Sequence, residues 1–462
     1  MLMVYHRSME KITIVVIGIT GNLAKIKLIP ALYDLFLSKQ ICGDCKILGV
    51  SRQIRSEGEL RGMIDEAVIS KKNGQIDMEM LAKFWQKFDF INGDLEDEKL
   101  YKKIKEKLGT NRQTIFYLAT HPMYYLAIFN NLNKIGINKK QNGVKLMIEK
   151  PIGSDLKSAV LLNRLLIKFF DEGQIYRIDH YLGKETIQNI LAFRFNNSIF
   201  EKLTQSELVD HIQITMSESF GAEARSAYYD EVGALKDVGQ NHILQMLAFA
   251  VMDRPKEMTN EEITNKRLEV LQSLRPRPES LVLGQYGDYS TEKKKTNTFF
   301  AFKTEIGKGD LKGVPIYIRS GKKLAKSVAE IVMVFKRNGG FEDRLTYRIQ
   351  PNEGIVIRFG VKQPGAGMEI GEGLMQFCFK SINTNLANPY EKLINDAING
   401  DQTFFNDAKE VEAQWQFIDA LKSEGVSPIV YEPGSWGPKE ARDLIEKDGR
   451  KWIEPDEAYC RI

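Results

Sequence analysis

Residues 11–18, KITIVVIG, form an unbroken apolar run ending in glycine, and LIPALYDLFLSK (28–39) then carries its apolar residues at helical spacing. A strand without a polar face must be covered on both sides, as happens in a parallel sheet flanked by helices. The same texture returns at CKILGVSR (45–52), QTIFYLA (113–119) and KLMIEKP (145–151), with helical stretches between them. Strands alternating with helices predict a doubly wound parallel sheet of the Rossmann type.

After about residue 180 the pattern changes. HIQITMSE (211–218), TFFAFKTE (298–305), PIYIRS (315–320), AEIVMVFK (329–336), TYRIQ (346–350), GIVIRFG (354–360) and LMQFCFK (374–380) follow one another with few helices. That succession predicts a large, mainly antiparallel sheet. A long helix is expected at 233–252, with further helices within 388–422 and 438–446. The fold class is therefore α/β followed by α+β: a Rossmann-type doubly wound domain over 1–179 and a second domain over 180–462 with a large, mainly antiparallel sheet and helices. A chain of 462 residues, 43% hydrophobic, can bury a sizeable core in each.

Composition removes several function classes. A net charge of +4 with no basic block gives no reason to expect a nucleic-acid partner. No apolar run reaches the ~18 residues of a spanning helix, and MLMVYHRSMEK lacks a signal-peptide core, so a cytoplasmic protein without a membrane partner is expected. The four cysteines, Cys42, Cys45, Cys378 and Cys460, read as reduced thiols. Cys42 and Cys45 form a C-x-x-C, but no second pair completes a zinc site.

The first turn is a candidate dinucleotide site. Gly18, Ile19, Thr20, Gly21, Asn22, Leu23, Ala24 and Lys25 join the first strand to the first helix. Glycines there allow a tight turn and close backbone approach, and a helix N-terminus offers N–H groups to a pyrophosphate. The pattern is only G-x-x-G, which a plain strand–helix turn would also satisfy. At the end of the second strand, Ser51, Arg52 and Gln53 stand where an acid would hold the 2′-hydroxyl of NAD. A guanidinium suits a 2′-phosphate, which favours NADP, with NAD as a secondary cofactor; a solvated surface arginine is the plainer reading.

RIDHYLGKE (177–185) crowds Arg177, Asp179, His180, Tyr181, Lys184 and Glu185 into nine positions, too polar for a buried strand. Asp179 can be a helix cap and His180 a structural imidazole. Other residues shift the balance toward function: Lys150 in EKP at a strand end, Glu218 at a strand tip, Asp237 and His242 in DVGQNH, and Lys322 after the turn RSG. Carboxylates bind sugar hydroxyls, whereas lysine and imidazolium bind phosphate oxygens. Both kinds together point to a phosphorylated polyol.

GITGNLAKIKLIPALYDL, EKPIGSDL, RIDHYLGKETIQNILAFRF, DVGQNHILQMLAFAVM, IRSGKKL, NPYEKLINDAINGDQTFF and GSWGPKEA closely resemble the glucose-6-phosphate dehydrogenase family, in order, from about residue 12 to about 445. The resemblance implies oxidation of D-glucose 6-phosphate at C1 to the lactone, the first step of the pentose phosphate pathway, with hydride passing to NADP and no metal. It casts His242 as catalytic base and Asp179 as the carboxylate that orients its imidazole. His180, Tyr181 and Lys184 match phosphate-binding positions, and Lys150, Glu218, Asp237 and Lys322 match sugar-contacting ones. Gly18 to Lys25, Lys27, Arg52, Asp94, Leu95, Tyr125 and Lys150 fall on cofactor positions, and Pro151 on a peptide bond that can be cis. A homodimer or homotetramer is implied by the resemblance alone.

Departures from the family pattern are few. Asn22 stands where the family usually has aspartate, and Ser327, beside Lys326, where a second basic substrate contact is common. His121 in LATHP reads as local structure. Two rivals differ from the main reading: a two-domain sugar oxidoreductase acting on neutral sugars, which gives no reason for His180, Tyr181 and Lys184 together, and a non-catalytic homologue, which gives no reason to keep Asp179 and His242.

Overall fold

The computed structural model describes residues 11–41, 44–72, 76–109, 112–223, 226–289, 296–382, 386–422, 426–456 and 459–460; Cys42 lies outside them. Contacts divide the chain into two units. One comprises 1–152, 160–183 and 387–408, and the other 153–159, 184–386 and 409–462.

In the first unit six parallel strands, β1 (Ile12–Ile17), β2 (Cys45–Ser51), β3 (Phe88–Asn92), β4 (Gln113–Leu118), β5 (Val144–Ile148) and β6 (Ile175–Arg177), line up in the order β3-β2-β1-β4-β5-β6. All six residues of β1 are buried, as its lack of a polar face requires. Strand order reverses between β1 and β4, and ligands of such sheets bind outside the strand C-termini at that point.

The sheet ends in β6, which takes in Arg177. The polar stretch at 177–185 therefore starts inside a buried strand, contrary to the expectation from its composition. A fully buried guanidinium is tolerated there because both terminal nitrogens bond the Glu172 carboxylate and Nε bonds the Asn163 side chain at 3.2 Å.

The helix Pro389–Asn399 belongs to this first unit, although sequence texture groups it with the second domain. Its buried face is Tyr390, Leu393, Ile394, Ala397 and Ile398. Asn388 caps its start by accepting from Tyr390 N–H, and Gly400 ends it in the left-handed conformation. Lys145 on β5 donates to the carbonyls of Ala397 and Ile398 at 2.6 and 3.0 Å, so its charge meets the negative end of the helix dipole.

The second unit is built on nine strands: β7 (Val209–Ser217), β8 (Val282–Tyr286), β9 (Phe299–Glu305), β10 (Pro315–Gly321), β11 (Val328–Phe335), β12 (Arg344–Gln350), β13 (Gly354–Lys362), β14 (Ile370–Cys378) and β15 (Ile429–Tyr431). Their order is β14-β13-β12-β11-β7-β10-β9-β8-β15. Most neighbours are antiparallel, as expected, but β7 pairs with β10 and β8 with β15 in parallel. The first parallel pair matters functionally, because Ser217 lies opposite Gly321 and both strands deliver their next residues to the same end.

The expected helix at 233–252 is three pieces: Ser226–Ala234, a π-helical stretch Leu235–Ile243, and Leu244–Val251. Gly233, with φ +67°, breaks the first from the second. The last piece, LQMLAFAV, is buried throughout.

One cysteine expectation is corrected. Cys378 at the end of β14 and Cys460 near the C-terminus form a disulfide, while Cys45 is free and buried. The partners are 82 positions apart, so only the return of the chain along β14 reveals the pairing.

Candidate active site

At the end of β1 the first unit makes a tight turn onto a helix. Gly18 takes φ +94°, and a Cβ there would come within 2.4 Å of the Ala119 carbonyl on the adjacent β4 connection. Only glycine lets the two chains approach so closely. The N–H of Gly18 bonds Val50 O at 2.9 Å, and Gly21 N–H bonds Gly18 O at 3.0 Å. Residues 24–28 continue as a π-helical turn carrying Lys25 and Lys27. Ile19 and Ala24 are buried supports, whereas Asn22 is exposed.

Thr20 Oγ1 and Ser51 Oγ are 2.8 Å apart, and Ser51 Oγ accepts from Gln53 N–H, so the β1 turn and the end of β2 are tied together. Arg52 beside them is exposed and bonds Asp94 at 3.3 Å. The Asp94 carboxyl is held below its ordinary range, first by the backbone N–H of Glu96 and then by Arg52. Leu95 contributes its carbonyl to the Tyr101 hydroxyl. The Lys27 ammonium is lowered by desolvation and by the nearby charge of Lys71.

These features fit a dinucleotide phosphate: a glycine cradle at a helix start and an exposed guanidinium at the second strand end. Tyr125, in contrast, is buried, with its phenol raised by burial and by Glu149.

Lys150 follows β5 and leads into a cis Lys150–Pro151 bond. After β6 come Asp179, His180 and Tyr181. Asp179 is 1% exposed and accepts from Tyr181 N–H at 3.0 Å, which closes a turn rather than capping a helix, because the helix begins only at Glu185 with Lys184 at its N-cap. The His180 imidazole lies parallel to the Tyr390 ring, centroids 6.1 Å apart, and tilted against Tyr181 at 4.9 Å.

The second unit gathers another group. Glu218 and Lys322 leave the parallel strands β7 and β10 side by side and form an ion pair. The Lys322 ammonium is 5.1 Å from the ring centroids of both Phe220 and Tyr229. Burial, Asp237 and Glu218 all push the Tyr229 phenol up. Asp237 and His242 share the π-helical stretch, whose i→i+5 bonding sets residues five apart about one turn along the axis. His242 is 2% exposed.

Lys184 precedes the helix Glu185–Phe195 and pairs with Glu353 at 3.7 Å. Ser327 bonds the Ser219 backbone and hydroxyl at 2.8 Å each, a neutral tether where a base was expected by resemblance. His121 caps a short 3-10 turn by accepting from Met123 N–H, as its local reading required.

Tyr117, Phe220, Tyr229 and Tyr390 escaped the sequence reading. Tyr117, Tyr229 and Tyr390 lie in apolar runs or helices, where nothing separates a core ring from one that borders a charged group. Phe220, by contrast, is exposed in the polar stretch after β7. The π-helical stretches could have been suspected, since both coincide with polar residues interrupting apolar helices.

Residues 15–189 match the model of the "Glucose-6-phosphate dehydrogenase, NAD binding domain", and residues 191–453 that of the "Glucose-6-phosphate dehydrogenase, C-terminal domain". The chain is 39% identical to a glucose-6-phosphate 1-dehydrogenase of Borreliella burgdorferi, over 96% of this chain and 98% of the relative. It is also similar to a crystal structure of glucose-6-phosphate 1-dehydrogenase from Mycobacterium avium, at 30% identity and a TM-score of 0.87, covering 96% of this chain and 99% of that one. A glucose-6-phosphate dehydrogenase solved in complex with its substrate glucose-6-phosphate gives a TM-score of 0.90 at 29% identity, with the same coverage.

Proposed function

The chain belongs to the glucose-6-phosphate dehydrogenase family, and on that premise we propose that it oxidises D-glucose 6-phosphate at C1 to 6-phospho-D-glucono-1,5-lactone, with NADP as the principal acceptor and NAD as a secondary one. The observation that carries the reading is the cluster at the C-terminal ends of β7 and β10. Glu218, a carboxylate able to accept from sugar hydroxyls, stands there paired with Lys322, whose ammonium lies against the rings of Phe220 and Tyr229.

When bound, the nicotinamide supplies the acceptor for the hydride leaving C1. The protein's part is proton handling and positioning. His242 takes the proton of the C1 hydroxyl, so the oxygen's electrons form the carbonyl as the hydride departs. Asp179 orients that imidazole and stabilises its cation. An imidazole suits the step because its pKa lies near working pH. Glu218, Asp237, Lys322 and Lys150 fix the sugar, and His180, Tyr181 and Lys184 hold the phosphate. Arg52 supports NADP over NAD.

The exposed apolar side chains of the edge strand β14, Ile370, Leu374, Met375 and Phe377, support assembly into a homodimer or homotetramer. No helix among the described residues is long and apolar enough to cross a membrane. The reading places the enzyme in the cytoplasm, since a charged sugar phosphate stays in the compartment that makes it.

A panel of glucose 6-phosphate, free glucose and 6-phosphogluconate, each with NADP and with NAD, tests the proposal through formation of reduced cofactor. Turnover with glucose 6-phosphate well above that with free glucose is expected. Equal turnover of the two sugars would remove the phosphate-binding assignments.

A further inference from the structure

Lys322, which the reading above assigns to the sugar, leaves β10 on a turn with an unfavourable backbone. Lys323, the next residue, takes φ +48°, the left-handed region in which residues with a side chain are uncommon. Relaxation from that conformation would rotate the peptide between the two lysines and carry the Lys322 ammonium with it. In the structure this peptide is held at both of its polar atoms. Its N–H, from Lys323, donates to the Phe220 carbonyl at 3.1 Å. Its carbonyl, from Lys322, accepts from the Tyr431 hydroxyl at 2.6 Å.

Tyr431 ends β15 and is only 4% exposed, so solvent is poorly placed to replace that bond. A phenol has one proton to give, and the surrounding bonds direct it to Lys322. Thr298 Oγ1 lies 3.1 Å from the Tyr431 oxygen and already accepts from Tyr286 N–H at 3.0 Å. The threonine proton therefore goes to the phenol oxygen, and the phenol proton to the Lys322 carbonyl. The Thr298 carbonyl also accepts the Lys322 N–H at 3.0 Å, so residue 298 holds the lysine backbone both directly and through Tyr431.

The side chain delivered by this turn is the one paired with Glu218 and set against the Phe220 and Tyr229 rings. Glu218 shares the same frame. Its N–H donates to Gly321 O at 2.9 Å, and its carbonyl accepts from Leu324 N–H at 3.0 Å. Backbone bonds thus join the two strand ends, and Tyr431 adds a side-chain bond at the peptide where the turn is strained.

We propose that Tyr431 is a positioning residue for sugar recognition, its hydroxyl fixing the Lys322–Lys323 peptide so that the Lys322 ammonium stays beside Glu218. The inference rests on the glucose 6-phosphate reading, which gives Lys322 and Glu218 their substrate. Tyr317 provides a control. It is a buried tyrosine of β10, the strand that leads to Lys322, but its hydroxyl bonds Asp448 and Arg450.

Steady-state kinetics of Tyr431→Phe and Tyr317→Phe, each in the full chain, separate a positioning role from a general loss of stability. Tyr431→Phe keeps the ring and loses only the hydroxyl. It is expected to raise the KM for glucose 6-phosphate about fivefold or more, the effect of one lost hydrogen bond, with smaller changes in kcat and in the KM for NADP. Tyr317→Phe is expected to lower the melting temperature while leaving the sugar-phosphate KM within about twofold. Wild-type sugar-phosphate KM in Tyr431→Phe, or an equal rise in Tyr317→Phe, would overturn the inference. If Tyr431→Phe does not fold, Thr298→Val decides it. That change removes the donor to the phenol oxygen and leaves the Thr298 carbonyl in place, so the same KM should rise, and an unchanged KM would overturn the inference. An inactive wild type would instead overturn the function, and the inference with it.

Discussion

Replacing Arg52 with alanine separates NADP from NAD with little interference from folding. The guanidinium side chain is 62% exposed and its partner Asp94 46%, so their ion pair contributes less than about 1 kcal/mol, and the melting temperature should hardly move. A guanidinium on a 2′-phosphate makes charge-assisted bonds of about 1.5–3 kcal/mol, which is about tenfold to 150-fold in affinity. Exposure and salt favour the lower end, so a rise of about tenfold to thirtyfold in the KM for NADP is expected near physiological ionic strength. The KM for NAD, which lacks that phosphate, should stay within about twofold. Asp94 loses its cation in this variant, which gives no benefit to NADP and leaves a carboxylate able to accept from a ribose hydroxyl. The assay is initial-rate kinetics at saturating glucose 6-phosphate with each cofactor at two salt concentrations. Equal effects on both cofactors, or none on either, would refute the assignment of Arg52 to the 2′-phosphate.

Lys184→Ala should raise the KM for glucose 6-phosphate by about tenfold or more through loss of a charge-assisted contact. It should also destabilise the second unit, because burial already raises the Glu353 carboxyl and Lys184 is what offsets it; adding Glu353→Gln should restore thermal stability but not KM, and restoration of KM would show that Lys184 acts only on Glu353. Breaking Cys378–Cys460 with reductant or with Cys460→Ser should lower the stability of the second unit by about 2–4 kcal/mol, as expected for a cross-link closing a long loop. Denaturation monitored with and without reductant tests this, and identical midpoints would show that the bond does not form.

Local pattern carried much of the fold. β1, β2, β4 and β5 were legible because parallel strands covered on both faces leave continuous apolar runs, and most strands of the second sheet were legible from their succession. Pairing was not legible. Nothing in PIYIRS or HIQITMSE states that β10 runs parallel to β7, yet that direction sets Lys322 beside Glu218. Arg177 misled because burial of a guanidinium depends on Glu172 and Asn163 meeting it, which composition does not record. The helix carrying Tyr390 joins the first unit through Lys145 and its own buried face, a long-range choice that local periodicity cannot express. Of the candidate residues, charged ones stood out within polar motifs, whereas the tyrosines around Glu149 and Lys322 looked like ordinary core.

Proton abstraction by His242 is most directly measured in His242→Asn, a change that preserves size and removes the titratable nitrogen. With glucose 6-phosphate and NADP both saturating, turnover should fall by about 10²–10⁴-fold, the range for loss of a general base, while NADP binding followed by fluorescence titration stays as in the parent chain. Turnover at the parent rate, with cofactor still bound, would contradict the account.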